Sequence, residues 1–124
     1  MSATYRLDHG RRLLVVTLAG LVTAAELDAL SSAVRDDPAV DRSWPALVDA
    51  STLNPASITT ELLRSRASVP RADPVLVAIV APADVVFGLA RMFQMMSEGR
   101  GNAIEVFRDS TAALAWLHTA AVAE

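Results

Sequence analysis

Between Pro74 and Pro82 the chain runs Val-Leu-Val-Ala-Ile-Val-Ala without one polar side chain. An unbroken apolar run of that length, set between prolines, predicts a strand buried on both faces, parallel to its neighbours and internal to a sheet. A sheet with such a strand needs helices on both sides, so the remaining segments must supply them. That requirement narrows the fold to the α/β class before any other residue is considered.

The flanking sequence meets the requirement. Thr4 to Leu7 and Arg12 to Ala19 read as two strands joined at His9-Gly10, and the near-continuous Leu-Leu-Val-Val-Thr-Leu-Ala of the second predicts a central position. After Gly20, Thr23 and Glu26 form a capping box ahead of Leu27, Leu30 and Val34, which share one side of a helix that Pro38 ends. Trp44 to Asp49 reads as a short strand, followed by a polar loop and a helix from about Ile58 to Ser68. The buried run then leads past Pro82 into a helix from about Asp84, with glycine caps expected at Gly99 and Gly101. A strand from Ala103 to Phe107 precedes a last helix capped by Asp109 or Ser110 and carrying Leu114, Trp116 and Leu117. The order β-β-α-β-α-β-α-β-α predicts a mostly parallel sheet of about five strands, an N-terminal hairpin and four helices. Residues 1–124 are expected to form one domain, long enough to bury a core without metal or disulfide support.

Composition removes several kinds of chemistry. There is no cysteine, hence no disulfide framework, thiolate zinc site or cysteine nucleophile. All 11 basic residues are arginine, which removes Schiff-base chemistry and the phosphate-loop lysine. A net charge of -3 disfavours nonspecific binding to nucleic acid or anionic membranes. Met1 to Gly10 is polar and charged, unlike a secretory signal, and no apolar run is long enough for stable membrane insertion, so the expected address is the cytoplasm.

The helix beginning near Asp84 departs from simple amphipathic patterning. At about 100° per residue, Val86, Leu89, Ala90, Phe93 and Met96 share one side, whereas Asp84, Arg91, Gln94 and Glu98 share the other. Phe87 and Met95 fall among the polar group, with Arg91 and Met92 beside them. Met adapts to irregular contacts, and Phe and Arg are enriched at interface centres, so Phe87, Arg91, Met92 and Met95 form a candidate contact surface.

The element order, together with Val-Asp-Ala-Ser at residues 48–51 and a Ser/Thr-rich approach to the next helix, resembles the STAS domain of anti-sigma-factor antagonists. The segments AIVAPADVVFGLARMFQMM and IEVFRDSTAALAWL more closely resemble the bacterial SpoIIAA-like family, whose fold is also compared with CRAL-TRIO lipid-transfer domains. The resemblance covers essentially the whole chain. It implies a STAS-like α/β fold, and most family members have no assigned activity. In the antagonists an Asp-Ser pair at the start of the second helix carries a phosphorylatable serine. The equivalent stretch here, Asn54 to Glu61, lacks the Asp-Ser-Ser-Gly pattern but keeps hydroxyls at Ser57, Thr59 and Thr60.

Asp49, Ser51 and Thr52 stand where parallel strands place ligand sites, and with Ser57 and Thr59 they form a candidate polar cluster for an anion or phosphate. The competing reading is a loop that uses these side chains to satisfy its own backbone, and it is favoured. His9 and His118 have no second ligand at metal spacing, and no serine stands in a Gly-x-Ser-x-Gly elbow. No catalytic residue, cofactor or metal is expected. Two functions remain. One is a noncatalytic module, a homodimer or a binder of a regulatory protein, that pairs through the third helix. The other is a carrier of a hydrophobic small molecule, with Phe87, Met92 and Met95 at its mouth and Arg64 or Arg91 meeting an acidic head group.

Overall fold

A computed structural model describes residues 2–68, 76–98 and 103–123, the side chains of 121–123 excepted. The strands are β1 (Ala3–Asp8), β2 (Leu13–Gly20), β3 (Ala46–Leu53), β4 (Leu76–Val80) and β5 (Ala103–Phe107). The helices are α1 (Ala24–Asp36), α2 (Thr60–Ala67), α3 (Asp84–Met96) and α4 (Ser110–Ala123), with a 3-10 turn at Pro55–Ser57. The sheet order is β1-β2-β3-β4-β5, antiparallel between β1 and β2 and parallel elsewhere.

β4 holds an internal place in the sheet because both of its faces are apolar. Val77 and Ile79 point to one side, where Val86 and Ala90 of α3 meet them together with Ala46, Ala50 and Ile104. Ala78 and Val80 point to the other, where Ala113 and Leu117 of α4 join Leu13, Val15 and Leu47. Ala78 is fully enclosed, as a residue under helices on one face and between two strands must be. β2 is also internal, although only Leu13 and Val15 in it are fully buried.

α1 lies over β1 on the α3 side. Its capping box forms as expected: Thr23 Oγ1 accepts from the Glu26 amide at 3.2 Å, and Glu26 Oε1 accepts from the Thr23 amide at 3.3 Å. α2 sits between α1 and α3, and its Arg66 reaches Asp28 of α1 at 3.0 Å. Asp109 is the cap of α4, accepting from the Ala112 amide at 2.8 Å.

Two expectations need correction. β3 runs four residues past Asp49, so Ser51 and Thr52 belong to a strand and not to a loop, since pairing with β2 continues to Gly20 and Leu53 across a register shift between Thr17 and Ala19. α2 is also shorter than expected, starting after its cap at Thr59. The proline boundaries at Pro70 and Pro74 and the glycine caps at Gly99 and Gly101 lie outside the described residues. No helix among the described residues is long and apolar enough to cross a membrane.

Candidate functional site

α3 buries a narrower stripe than its sequence suggests. Val86 and Ala90 are its buried apolar residues, Phe93 packs against the same cluster, and Ser97 just beyond the helix is buried with its hydroxyl bonded to the Phe93 carbonyl at 2.8 Å. Leu89 and Met96 are only half-buried and are not among the residues packed against that cluster. The core-facing direction is thus rotated away from Leu89 and Met96, and a different set of residues faces outward.

Phe87 belongs with the core. Its ring packs against the α3-side cluster and is capped by the Arg108 guanidinium, 4.0 Å from the ring centroid. Arg108 is itself held by the Pro82 carbonyl at 3.1 Å and the Asp84 carboxylate at 2.6 Å. Five residues at 100° each put Phe87 about 140° round the helix from Met92. Phe87 therefore faces away from Met92, whereas Met95, eight residues on, lies about 80° from it. Arg91 donates to Gln94 Oε1 at 3.0 Å, and Gln94 Nε2 donates to the Ile104 carbonyl of β5 at 2.7 Å. Arg91 thus belongs to a polar chain leading to the sheet edge.

Met95 is 58% exposed, as its place among polar residues implied, and Val85, one of the residues not singled out in the sequence, is 62% exposed. Between them stand Gly88 and half-buried Met92. The spacing 85, 88, 92, 95 is a helical ladder of one face, with steps of three, four and three residues. The ladder is present in the sequence, but the larger side chains of Leu89 and Met96 dominate the apolar pattern beside it.

The polar candidates do not converge on a free site. The Asp49 carboxylate accepts from the amide of Ser51 at 3.0 Å and from its hydroxyl. Ser57 Oγ accepts from the Val22 amide at 3.1 Å and donates to the Asn54 carbonyl at 3.3 Å. Thr59 Oγ1 caps α2 by accepting from the Leu62 amide at 3.0 Å. Thr52 is exposed on β3. Each hydrogen-bonded member serves its own backbone or a neighbouring segment, as small polar residues at strand and helix ends do. Among the described residues, no three His, Asp or Glu side chains gather in a way that could hold a metal ion.

The opposite face of the sheet carries an open cleft of about 630 Å³ beside the middle of α4. It lies between the β1–β2 turn, the start of β3 and α4, and brings Arg12, Trp44 and His118 to one place. The His9 ring meets Trp44 edge-on, with centroids 5.5 Å apart. These residues come from three distant stretches of sequence, and no local spacing connects them.

No family model and no curated protein matches the chain. Among solved structures it is similar to an uncharacterized protein of the DUF3478 family with a SpoIIAA-like fold from Shewanella loihica PV-4. The TM-score is 0.62, over 93% of this chain and 91% of the other, at 16% sequence identity. The expected SpoIIAA-like fold is therefore the fold of this chain.

Proposed function

With that fold as the premise, we propose that the chain is a noncatalytic regulatory module of the cytoplasm that works by self-association, two copies pairing through the outward ladder of α3. The observation that carries this reading is Gly88. A Cβ built on it meets nothing within 4 Å among the described residues, which give no reason for a glycine there. In a helix interior glycine costs about 0.5–1 kcal/mol relative to alanine. A glycine that meets nothing among the described residues, flanked by exposed Val85 and Met95, suits the close approach of a second helix backbone.

From Val85 to Met95 the ladder spans ten residues, about 15 Å at 1.5 Å per residue, enough for one helix crossing. Met92 and Met95 supply adaptable side chains around the small residue. In a two-fold pairing each face meets its own copy, so one substitution acts twice. A regulatory protein that offers a comparable helix would use the same ladder.

Native mass spectrometry and sedimentation equilibrium test the reading. The wild-type chain is expected as a dimer, and Met95→Asp as a monomer that melts like the wild type at high dilution. Leu21, 56% exposed on the connection between β2 and α1 and outside the ladder, provides the control: Leu21→Asp keeps the dimer. A wild-type chain that stays monomeric at every concentration, or a Met95→Asp chain that keeps dimer mass, overturns it.

A further inference from the structure

We propose that the cleft beside α4 binds a small amphipathic carboxylate, its apolar body on Trp44, Leu114 and Leu117 and its carboxylate on the guanidinium of Arg12. The site is on the sheet face opposite the α3 ladder and is independent of the pairing proposed above. Its volume of about 630 Å³ falls among those of small-molecule sites. Leu13 and Leu117 at its floor are buried, and Pro45, Trp44 and Leu114 continue the apolar lining. Polar groups stand around them: Arg12 and His118 as donors, with Ser43 and Asp41 alongside.

Arg12 is the residue that points to a ligand. Its φ is +56°, the left-handed region that side-chain-bearing residues avoid and glycine enters freely. The neighbouring Gly10 of the same turn takes no such conformation. An arginine therefore occupies the one position of this turn where glycine would strengthen the fold. Backbone strain of this kind gathers where a side chain has work elsewhere. Arg11 spends its charge on Asp8 at 3.2 Å, whereas Arg12 forms no ion pair or side-chain hydrogen bond among the described residues. Asp41 is the acid of the same cleft: its Oδ1 accepts from the Ser43 hydroxyl at 2.6 Å and the Ser43 amide at 2.9 Å, and beside these bonds the charge of Arg12 helps to hold its carboxyl below its ordinary value without forming an ion pair.

A single planar guanidinium with five donors matches one carboxylate. The nearby negative charge of Asp41 disfavours a doubly charged head such as phosphate, and the apolar lining disfavours a ligand polar throughout. Together these select a monoanion with a hydrophobic body.

The test titrates the full chain with decanoate and naphthoate, and with decanol and decylamine as neutral and cationic heads, all below micelle formation. Binding is read from tryptophan fluorescence and from the rise in melting temperature that any ligand of the folded state produces. At least one carboxylate is expected to saturate, with decanol and decylamine at least tenfold weaker. Arg12→Gly is expected to melt higher than the wild type when unliganded and yet to bind the carboxylate at least tenfold more weakly. Asp41→Asn is expected to bind it more tightly. Trp44→Phe removes the fluorescence response, and Trp116→Phe keeps it. If neither carboxylate saturates, if decanol binds as well as decanoate, or if Arg12→Gly binds as the wild type does, the proposal is overturned.

Discussion

The Tyr5 hydroxyl donates to Asp37 Oδ2 at 2.6 Å, joining β1 to the residue that caps the C-terminus of α1. This bond matters because α1 has no fully buried residue and its main contact with the sheet is the edge strand β1. Little apolar area holds the helix down, so specific polar contacts at its two ends and at Asp28 fix its position.

The Tyr5–Asp37 bond makes that position sensitive to pH at both extremes. The Tyr5 hydroxyl and the Ala39 amide hold the Asp37 carboxyl below its ordinary 3.8, against a smaller opposing effect of burial. Its contribution is present above that value and is lost as pH falls through the lower folded-state pKa. The Asp37 acceptor pushes the Tyr5 phenol above its ordinary 10.0, with burial and charge adding to the shift. That contribution is complete below 10.0 and is lost as pH rises through the higher folded-state value. Tyr5→Phe is expected to melt lower than wild type near neutrality, with the two melting curves converging in strong acid and in strong base. Melts across a pH series check this, and a constant gap at all pH values would refute it.

At the other end of α1, the capping box is reinforced by the chain terminus. Glu26 accepts from the Thr23 amide through one carboxylate oxygen and from the Ser2 amide through the other, at 3.2 Å. Thr23→Ala removes the acceptor for the Glu26 amide and is expected to cost about 1 kcal/mol. Urea unfolding should show the loss as a lower midpoint at unchanged slope. Restoring the acceptor with Thr23→Ser should recover most of it.

Gly88 separates the stability of one copy from the pairing of two. Gly88→Ala is expected to stabilise the dilute chain by roughly 0.5–1 kcal/mol, since the methyl group enters open space. Gly88→Met adds a long side chain at the proposed crossing and is expected to leave a folded monomer. Denaturant curves at two protein concentrations, read beside sedimentation, resolve the two effects. A Gly88→Met chain that remains dimeric places the interface elsewhere.

What could be read from the sequence follows the range of the forces involved. The run from Val75 to Ala81 identified an internal strand because burial on two faces demands apolar residues at every position, as fully enclosed Ala78 illustrates. The Thr23 and Glu26 cap was equally legible, since both partners lie within one turn. Ser51 and Thr52 were not, because they extend β3 only through pairing with β2, and such tertiary pairing overrides local polarity. The cover of Phe87 was hidden for a related reason: Arg108 lies 21 positions later, outside α3. The cleft joins the turn at Arg12 to His118, and a cavity assembled from such distant residues leaves no periodic trace.

Ser57 shows how the same fold bears on phosphorylation. Its Oγ is the acceptor for the amide of Val22, a residue with 0% exposure, so the hydroxyl holds the start of α1 against the 3-10 turn before α2. Ser57→Ala leaves that amide without its partner and is expected to cost about 1–3 kcal/mol. Thr52→Ala, at an exposed position of β3, is expected to stay within about 0.5 kcal/mol of wild type. A phosphoryl group on Ser57 replaces the hydroxyl hydrogen that the Asn54 carbonyl accepts and adds bulk and charge beside the Val22 amide, so a modification there disturbs the junction between the 3-10 turn and the start of α1. Amide hydrogen exchange at Val22 checks the contact directly: protection that falls in Ser57→Ala and is unchanged in Thr52→Ala assigns Ser57 to the fold, and unchanged protection in both frees it for another role.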